Sequence, residues 1–266
     1  RLNRHPKVLV IPESNVAPRL LKYFSRISGK NVEHKKLVEY IYSENKFKEW
    51  DLPIEKLLEA FNKQHDLSWE KTFFICCKTY RNWKKPKAKV VVFKKSGWYY
   101  KNVDLLLSKF RDVVTIWMLR DPRAVYNSAR KALHSEKNRP MAKHILKNAL
   151  GWEDYVNRLI RAEKKWPDQV YRIKYENLLL DVFHHLNAIW NKLGVGELTD
   201  KELNTILDQQ NSSHLVTIST KHLHSNVIKK PLFERSEMWK YELPKWKAYL
   251  IYLICRKGMH ITGYNL

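Results

Sequence analysis

The feature that most limits how this chain can fold is an apolar run followed directly by an arginine. Residues 113–119 read V-V-T-I-W-M-L, which is typical of a buried strand, and Arg120 follows at once. Asp121 and Pro122 then open a helical pattern, because aspartate is a favoured N-cap and proline suits the first helical position. Ligands of parallel α/β sheets bind at such strand ends, and an arginine there fits a phosphate. The sequence therefore predicts a strand, turn and helix with Arg120 facing an anion, although Arg120 could instead pair with Asp121.

Strands and helices alternate along the rest of the chain. We predict further strands over residues 7–11, 73–77, 89–93 and 170–174. We predict helices over residues 18–24, 33–42, 54–63, 101–110, 123–133, 141–165, 178–193 and 245–257, with Gly258 as the C-cap of the last helix. This alternation favours an α/β fold in one domain, residues 1–266, with a central and mostly parallel sheet flanked by helices.

Composition points to an acidic partner. The 266 residues hold 50 Lys and Arg against 27 Asp and Glu, a net charge of +23, and the 44% hydrophobic content excludes a disordered chain. Such a charge predicts binding to phosphate, sulfate, an acidic glycan, nucleic acid or an anionic membrane surface. Residues 78–101 combine many lysines with aromatic residues and contain no acid. Because no nucleic-acid-binding motif accompanies them, nucleic acid is the less favoured partner.

The three cysteines exclude a disulfide-rich fold. Cys76 and Cys77 are adjacent and Cys255 is distant, so the paired spacing of a zinc site is missing and we expect no metal. Whether any two of them pair stays open. No apolar run approaches the roughly 20 residues that a membrane span needs. The sequence begins at Arg1 rather than Met, so we expect any targeting segment to lie outside it.

Residues 119–128, L-R-D-P-R-A-V-Y-N-S, resemble the 3′-phosphate-binding motif of sulfotransferases that use 3′-phosphoadenosine 5′-phosphosulfate (PAPS). The segment R-D-P-R-A-V at residues 120–125 is most similar to the corresponding segment of Golgi carbohydrate sulfotransferases. Residues 172–178 resemble the R-Y-E-D-L segment of that family, and residues 227–264 resemble the tail of tyrosylprotein-type enzymes. The resemblance implies a P-loop-like sulfotransferase fold and, for a eukaryotic source, the Golgi lumen. It also implies nucleotide-binding roles for five residues: Arg120 and Ser128 at the 3′-phosphate, Tyr175 near the adenine, and Ser225 and Lys229 near the phosphates.

The resemblance is incomplete at the loop after the first strand. The family has P-R-S-G followed by two hydroxyl residues there, and this chain has P-E-S-N-V-A at residues 12–17. Pro12 and Ser14 fit, and Asn15 can replace glycine because it tolerates left-handed backbone. Glu13 stands where an arginine is expected, and Arg19, one helical turn later, is our candidate for the missing charge. Either the loop is remodelled or binding of the sulfate donor is impaired.

The resemblance also suggests catalytic residues. Lys95, with Lys94 as its competitor, is the candidate that stabilises charge on the leaving phosphate. Glu33, next to His34, is the candidate base for the acceptor proton. The expected function is transfer of a sulfuryl group from PAPS to a hydroxyl, first of all on a carbohydrate. The alternatives are a protein-tyrosine sulfotransferase and a catalytically impaired protein of the same fold that binds acidic glycans.

Overall fold

The computed structural model describes residues 2–27, 32–93, 97–134, 139–199, 201–202 and 233–266. The chain divides into two compact units, residues 1–98 with 198–219 and residues 99–197 with 220–266. Among the described residues, each unit contains one two-stranded parallel pair with helices against it. The expected α/β class is confirmed, while one domain over residues 1–266 stays a prediction.

The first unit is built on β1 (Val8–Ile11) and β2 (Val90–Phe93), which pair in parallel with Val8 opposite Val90. The helices between these strands are α1 (Val16–Arg26), α2 (His34–Tyr42), α3 (Asn45–Lys48), α4 (Ile54–Asn62) and α5 (Trp69–Lys84). Strand β1 is almost completely buried, and helix α5 is among the elements that pack against it. It therefore delivers residues 12–15 directly to the start of α1.

The strand predicted over residues 73–77 is wrong, because these residues lie in the middle of α5. Ser68 caps that helix by accepting the backbone N–H of Lys71 at 3.3 Å. The helix buries one face at three- and four-residue spacing: Trp69, Thr72, Cys76 and Tyr80. The β-forming run F-F-I-C-C was therefore overridden by a cap outside it and by packing along the whole helix.

The second unit contains β3 (Thr115–Leu119), a short antiparallel pair of β4 (Leu133–His134) with β5 (Arg139–Pro140), and β6 (Val170–Lys174). Its helices are α6 (Trp98–Lys101), α7 (Val103–Lys109), α8 (Pro122–Lys131), α9 (Ile145–Lys165), α10 (Tyr175–Leu180), α11 (Val182–Lys192), α12 (Glu234–Glu237), α13 (Trp239–Glu242) and α14 (Lys245–Ile261). Strands β3 and β6 are parallel, with Leu119 opposite Lys174. Their carboxyl ends therefore lie side by side.

Helix α14 packs along α9 at a glycine. The backbone N–H of Gly258 donates to both carboxylate oxygens of Glu153 at 3.2 Å. A Cβ atom at Gly258 would lie 2.9 Å from the Trp152 ring. The prediction of Gly258 as a C-cap is wrong, since α14 continues to Ile261 and the glycine serves close helix packing instead.

Other sequence expectations concern membranes, metals and thiols. In the part of the chain that the structure describes, no helix combines the length and apolar character needed to cross a bilayer. The same residues contain no group of three or more His, Cys, Asp and Glu side chains able to hold a metal ion. All three cysteines carry free thiols, and Cys255 donates to the carbonyl of Ala149 at 3.3 Å.

Candidate functional site

Two of the predicted nucleotide-binding residues meet at the carboxyl end of the β3–β6 pair. Arg120 follows β3 and Tyr175 follows β6, and the parallel register places these strand ends next to each other. The Cζ atom of Arg120 lies 4.8 Å from the centre of the Tyr175 ring, and both side chains are half-buried. The indole N–H of Trp152 donates to the Arg120 carbonyl at 3.0 Å and fixes the backbone there. The site thus presents a guanidinium beside an aromatic ring.

Asp121 pairs with Arg123 rather than with Arg120. The Asp121 carboxylate caps α8 by accepting the Arg123 backbone N–H at 2.8 Å, and it accepts Arg123 Nη2 at 2.7 Å and Nε at 3.0 Å. Arg123 also donates to the Asn265 carbonyl at 2.7 Å and lies 4.0 Å from the Trp239 ring centre. Both members of the ion pair are less than a tenth exposed. Arg123 is therefore a structural residue, and the alternative of an Arg120–Asp121 pair is wrong.

A second carboxylate fastens the end of the chain to this site. Glu176 accepts the Asp121 backbone N–H at 3.3 Å and the Tyr264 hydroxyl at 2.7 Å. Burial and the neighbouring Glu176 raise the pKa of Tyr264 far above its ordinary value. Lys174 donates to the Gly263 carbonyl at 2.9 Å and lies 4.7 Å from the Tyr264 ring centre. Glu176 lies in the segment of residues 172–178 that resembles the family. Its contact with Tyr264 could not be predicted from the sequence, because the two residues are far apart along the chain.

Ser128 is exposed on α8, roughly 9 Å along the helix axis from Pro122. Its neighbours anchor the helix, because Asn127 donates to Glu242 at 2.6 Å and Lys131 forms an ion pair with Glu242 at 2.5 Å. These two contacts lower the pKa of the Glu242 carboxyl. The Ser128 hydroxyl is thus accessible on a firmly held helix, and its contact with a 3′-phosphate stays a prediction.

The loop between β1 and α1 differs from the expected anion-binding loop. Pro12 and Ser14 are buried, and Ser14 accepts the Val16 backbone N–H at 3.5 Å. Asn15 has a φ of −101°, so the left-handed backbone that we expected of a glycine substitute is not used. The Asn15 backbone N–H donates to Glu44 Oε1 at 2.5 Å. A carboxylate of the chain itself therefore accepts the hydrogen bond of a backbone amide in this loop. No pattern in the sequence predicted this role for Glu44.

The charged residues around the loop also have partners within the protein. Glu13 Oε1 lies 3.7 Å from Lys46 Nζ, a cation that sequence reasoning missed. Arg19 donates to the Tyr40 carbonyl at 2.8 Å and to the Ser43 hydroxyl, and its Cζ lies 4.5 Å from the Tyr40 ring centre. These contacts tie α1 to α2. A donor-binding role for Arg19 stays a prediction beside this structural one.

The catalytic candidates are described only in part. Glu33 forms an ion pair with Lys36 at 2.6 Å, and both side chains are more than half exposed. This contact is that of an ordinary helix start, and the role of Glu33 as a base stays a prediction. His34 lies 3.0 Å from Asn62 through its ring nitrogen. Four further candidates lie outside the described residues: Lys94, Lys95, Ser225 and Lys229.

Known proteins resemble this chain in sequence and in fold. The sequence profile described as "Sulfotransferase family" matches residues 1–200. The sulfotransferase domain from the curacin biosynthetic pathway superimposes with a TM-score of 0.61 at 14% identity, covering 100% of this chain and 92% of that domain. The sulfotransferase domain from the Synechococcus PCC 7002 olefin synthase gives 0.61 at 15% identity, covering 100% of this chain and 88% of that domain.

The two structural similarities show the fold, while comparison with curated protein sequences gives no significant match. The family profile covers residues 1–200 of 266, which include the loop at residues 12–15, Arg120 and Tyr175. On that match, the chain belongs to the sulfotransferase family.

Proposed function

We propose that this protein transfers a sulfuryl group from PAPS to an acceptor hydroxyl. The observation that carries the proposal is the pairing of Arg120 with Tyr175 at the carboxyl end of β3 and β6. A planar guanidinium donates two parallel hydrogen bonds to a phosphate, and an aromatic ring beside it packs against a nucleobase. Arg123 is held by Asp121 and the Asn265 carbonyl and serves the fold, whereas Arg120 lies at the strand end beside Tyr175.

The reaction needs few groups from the protein. The bond between sulfur and the donor's phosphate oxygen breaks, sulfur bonds to the acceptor oxygen, and the acceptor proton passes to a base. A cation near the leaving phosphate lowers the barrier by stabilising the charge that develops there. We propose these roles: Lys95 at the leaving oxygen, Glu33 as the base, Ser128 with Arg120 at the 3′-phosphate, and Ser225 and Lys229 near the phosphates.

A carbohydrate is the acceptor that we propose, with a protein tyrosine as the alternative. The sequence R-D-P-R-A-V at residues 120–125, which resembles carbohydrate sulfotransferases, supports a carbohydrate acceptor. A further support is Trp83, which is 42% exposed, with Lys56 Nζ at 5.0 Å and Lys84 Nζ at 5.5 Å from its ring centre. Lys84 is paired with Asp51 at 2.9 Å, so it is the exposed ring together with Lys56 that suits a sugar carrying a negative group. The Golgi lumen is the compartment we propose for a eukaryotic source.

A second candidate is a protein of this fold that binds acidic glycans without catalysis. It is favoured by the carboxylates of Glu13 and Glu44 at the loop of residues 12–15, where a donor's phosphosulfate would meet negative charge. The two candidates differ in whether the nucleotide binds and whether sulfate is transferred.

The test measures thermal unfolding with 3′-phosphoadenosine 5′-phosphate (PAP) and, separately, with heparin. A ligand that binds only the native state raises the Tm by mass action. We expect PAP to stabilise the wild type but not Arg120→Ala. Arg161 is an exposed arginine in the same unit, and the control variant Arg161→Ala should be stabilised like the wild type. Mass spectrometry of a desulfated glycan and a tyrosine peptide, each incubated with PAPS, then identifies the acceptor. Stabilisation by heparin alone, with no sulfated product, would support the second candidate instead.

A further inference from the structure

The start of α1 carries an anion supplied by the chain itself. The backbone N–H of Asn15, the residue that caps α1, donates to Glu44 Oε1 at 2.5 Å. The amides at the start of a helix carry partial positive charge and attract anions. Glu44 is only 8% exposed while Asn15 is exposed, so this contact is partly buried. Its carboxylate thus satisfies a donor that an external anion would otherwise use.

Backbone hydrogen bonds hold Glu44 in place. Glu44 caps α3, where its carbonyl accepts the backbone N–H groups of Phe47 and Lys48 at 3.1 Å. Its own N–H donates to the Ile41 carbonyl at 3.2 Å. Because the backbone is fixed on both sides, the carboxylate can leave Asn15 only by rotation of its side chain.

Other charged side chains lie around the same loop. Glu13 in the same loop contributes a second carboxylate, and Lys46 lies 3.7 Å from it. Arg19, one helical turn into α1, is a further cation near these acids, and it donates to the Tyr40 carbonyl and the Ser43 hydroxyl. An incoming phosphate group therefore meets an amide that a carboxylate of the chain already occupies.

We propose that Glu44 is an internal competitor of the sulfate donor, and that the donor's 5′-phosphate must displace its carboxylate from the Asn15 amide. This rests on the proposed function, in which the loop of residues 12–15 receives that phosphate. Glu44 then sets the donor affinity: the cost of displacing the carboxylate opposes binding.

The experiment compares PAP affinities of the wild type, Glu44→Gln and Glu39→Gln by isothermal titration calorimetry. Glutamine keeps an oxygen that accepts the Asn15 N–H but removes the charge, so the loop geometry is preserved. Glu39 is exposed on α2 and controls for the change in net charge. We expect roughly tenfold tighter binding by Glu44→Gln, in line with the strength of a hydrogen bond to a charged group, and no more than about a twofold change for Glu39→Gln.

The outcomes separate this inference from the proposed function. Binding by the wild type with equal or weaker affinity in Glu44→Gln would overturn the competition while leaving the proposed function intact. No PAP binding by any of the proteins would overturn both. If Glu44→Gln does not fold, amide exchange in the wild type decides: we expect the Asn15 amide proton to be protected without nucleotide, and free exchange there would refute the contact.

Discussion

Replacing Arg123 with methionine should destabilise the protein strongly without acting on the ligand site directly. The change removes a guanidinium that makes 2.7 Å bonds to Asp121 and to the Asn265 carbonyl and lies 4.0 Å from the Trp239 ring centre. It leaves the Asp121 carboxylate, which is more than nine-tenths buried, without its cation. Breaking such a pair costs about 3–5 kcal/mol. Asp121 still accepts the backbone N–H of residue 123 in the variant. We therefore expect the free energy of unfolding to fall by about 3 kcal/mol, at the lower end of that range.

The assay is unfolding in urea and by heat, with and without PAP. A loss of about 3 kcal/mol corresponds to a Tm lower by roughly 6–12 °C for a chain of this size. The double variant Asp121→Asn with Arg123→Met should recover more than half of the loss, because asparagine still caps α8 and no stranded charge remains. Arg120→Ala is the matched comparison: it should change the Tm of the ligand-free protein little and weaken PAP binding by about 1.5–3 kcal/mol.

The reasoning would be refuted by an Arg123→Met protein as stable as the wild type. A double variant less stable than Arg123→Met alone would also contradict it, because the loss would then come from packing of the arginine rather than from the stranded carboxylate.

Two further predictions concern stability. Gly258→Ala should destabilise by about 1–3 kcal/mol, because the added Cβ would lie 2.9 Å from the Trp152 ring, whereas Gly151→Ala, with nothing within 4 Å, should stabilise by up to about 1 kcal/mol. Equal effects in urea unfolding would contradict this packing argument. Burial raises the pKa of Tyr80 to about 12, and burial with Glu176 raises that of Tyr264. The folded protein therefore keeps protons that the unfolded chain releases above about pH 10, so the free energy of unfolding should fall as the pH rises beyond that value. A constant free energy of unfolding from pH 9 to pH 11 would count against it.

Local signals were sufficient where neighbouring residues specify one element. The apolar run at residues 113–119, the Asp121 cap and Pro122 act within a few positions of each other, and β3 and α8 form where they predict. The same signals were ambiguous at residues 73–77, where side chains that favour strands lie inside α5. The cap at Ser68 and a buried face that extends to Tyr80 decided that element, and both lie outside the predicted strand.

The sequence by itself determined the α/β class, the strand end that carries Arg120 and the family resemblance, because each depends on residues adjacent in the chain. Only the tertiary structure decided which arginine of the motif is structural, since Arg123 is recognised by its contact with Asn265 at the far end of the chain. It also decided that Gly258 is a packing residue and that Glu44 occupies the Asn15 amide. The physical reason is the same in each case: these roles are set by partners that folding brings together from distant positions, and no local propensity encodes such a contact.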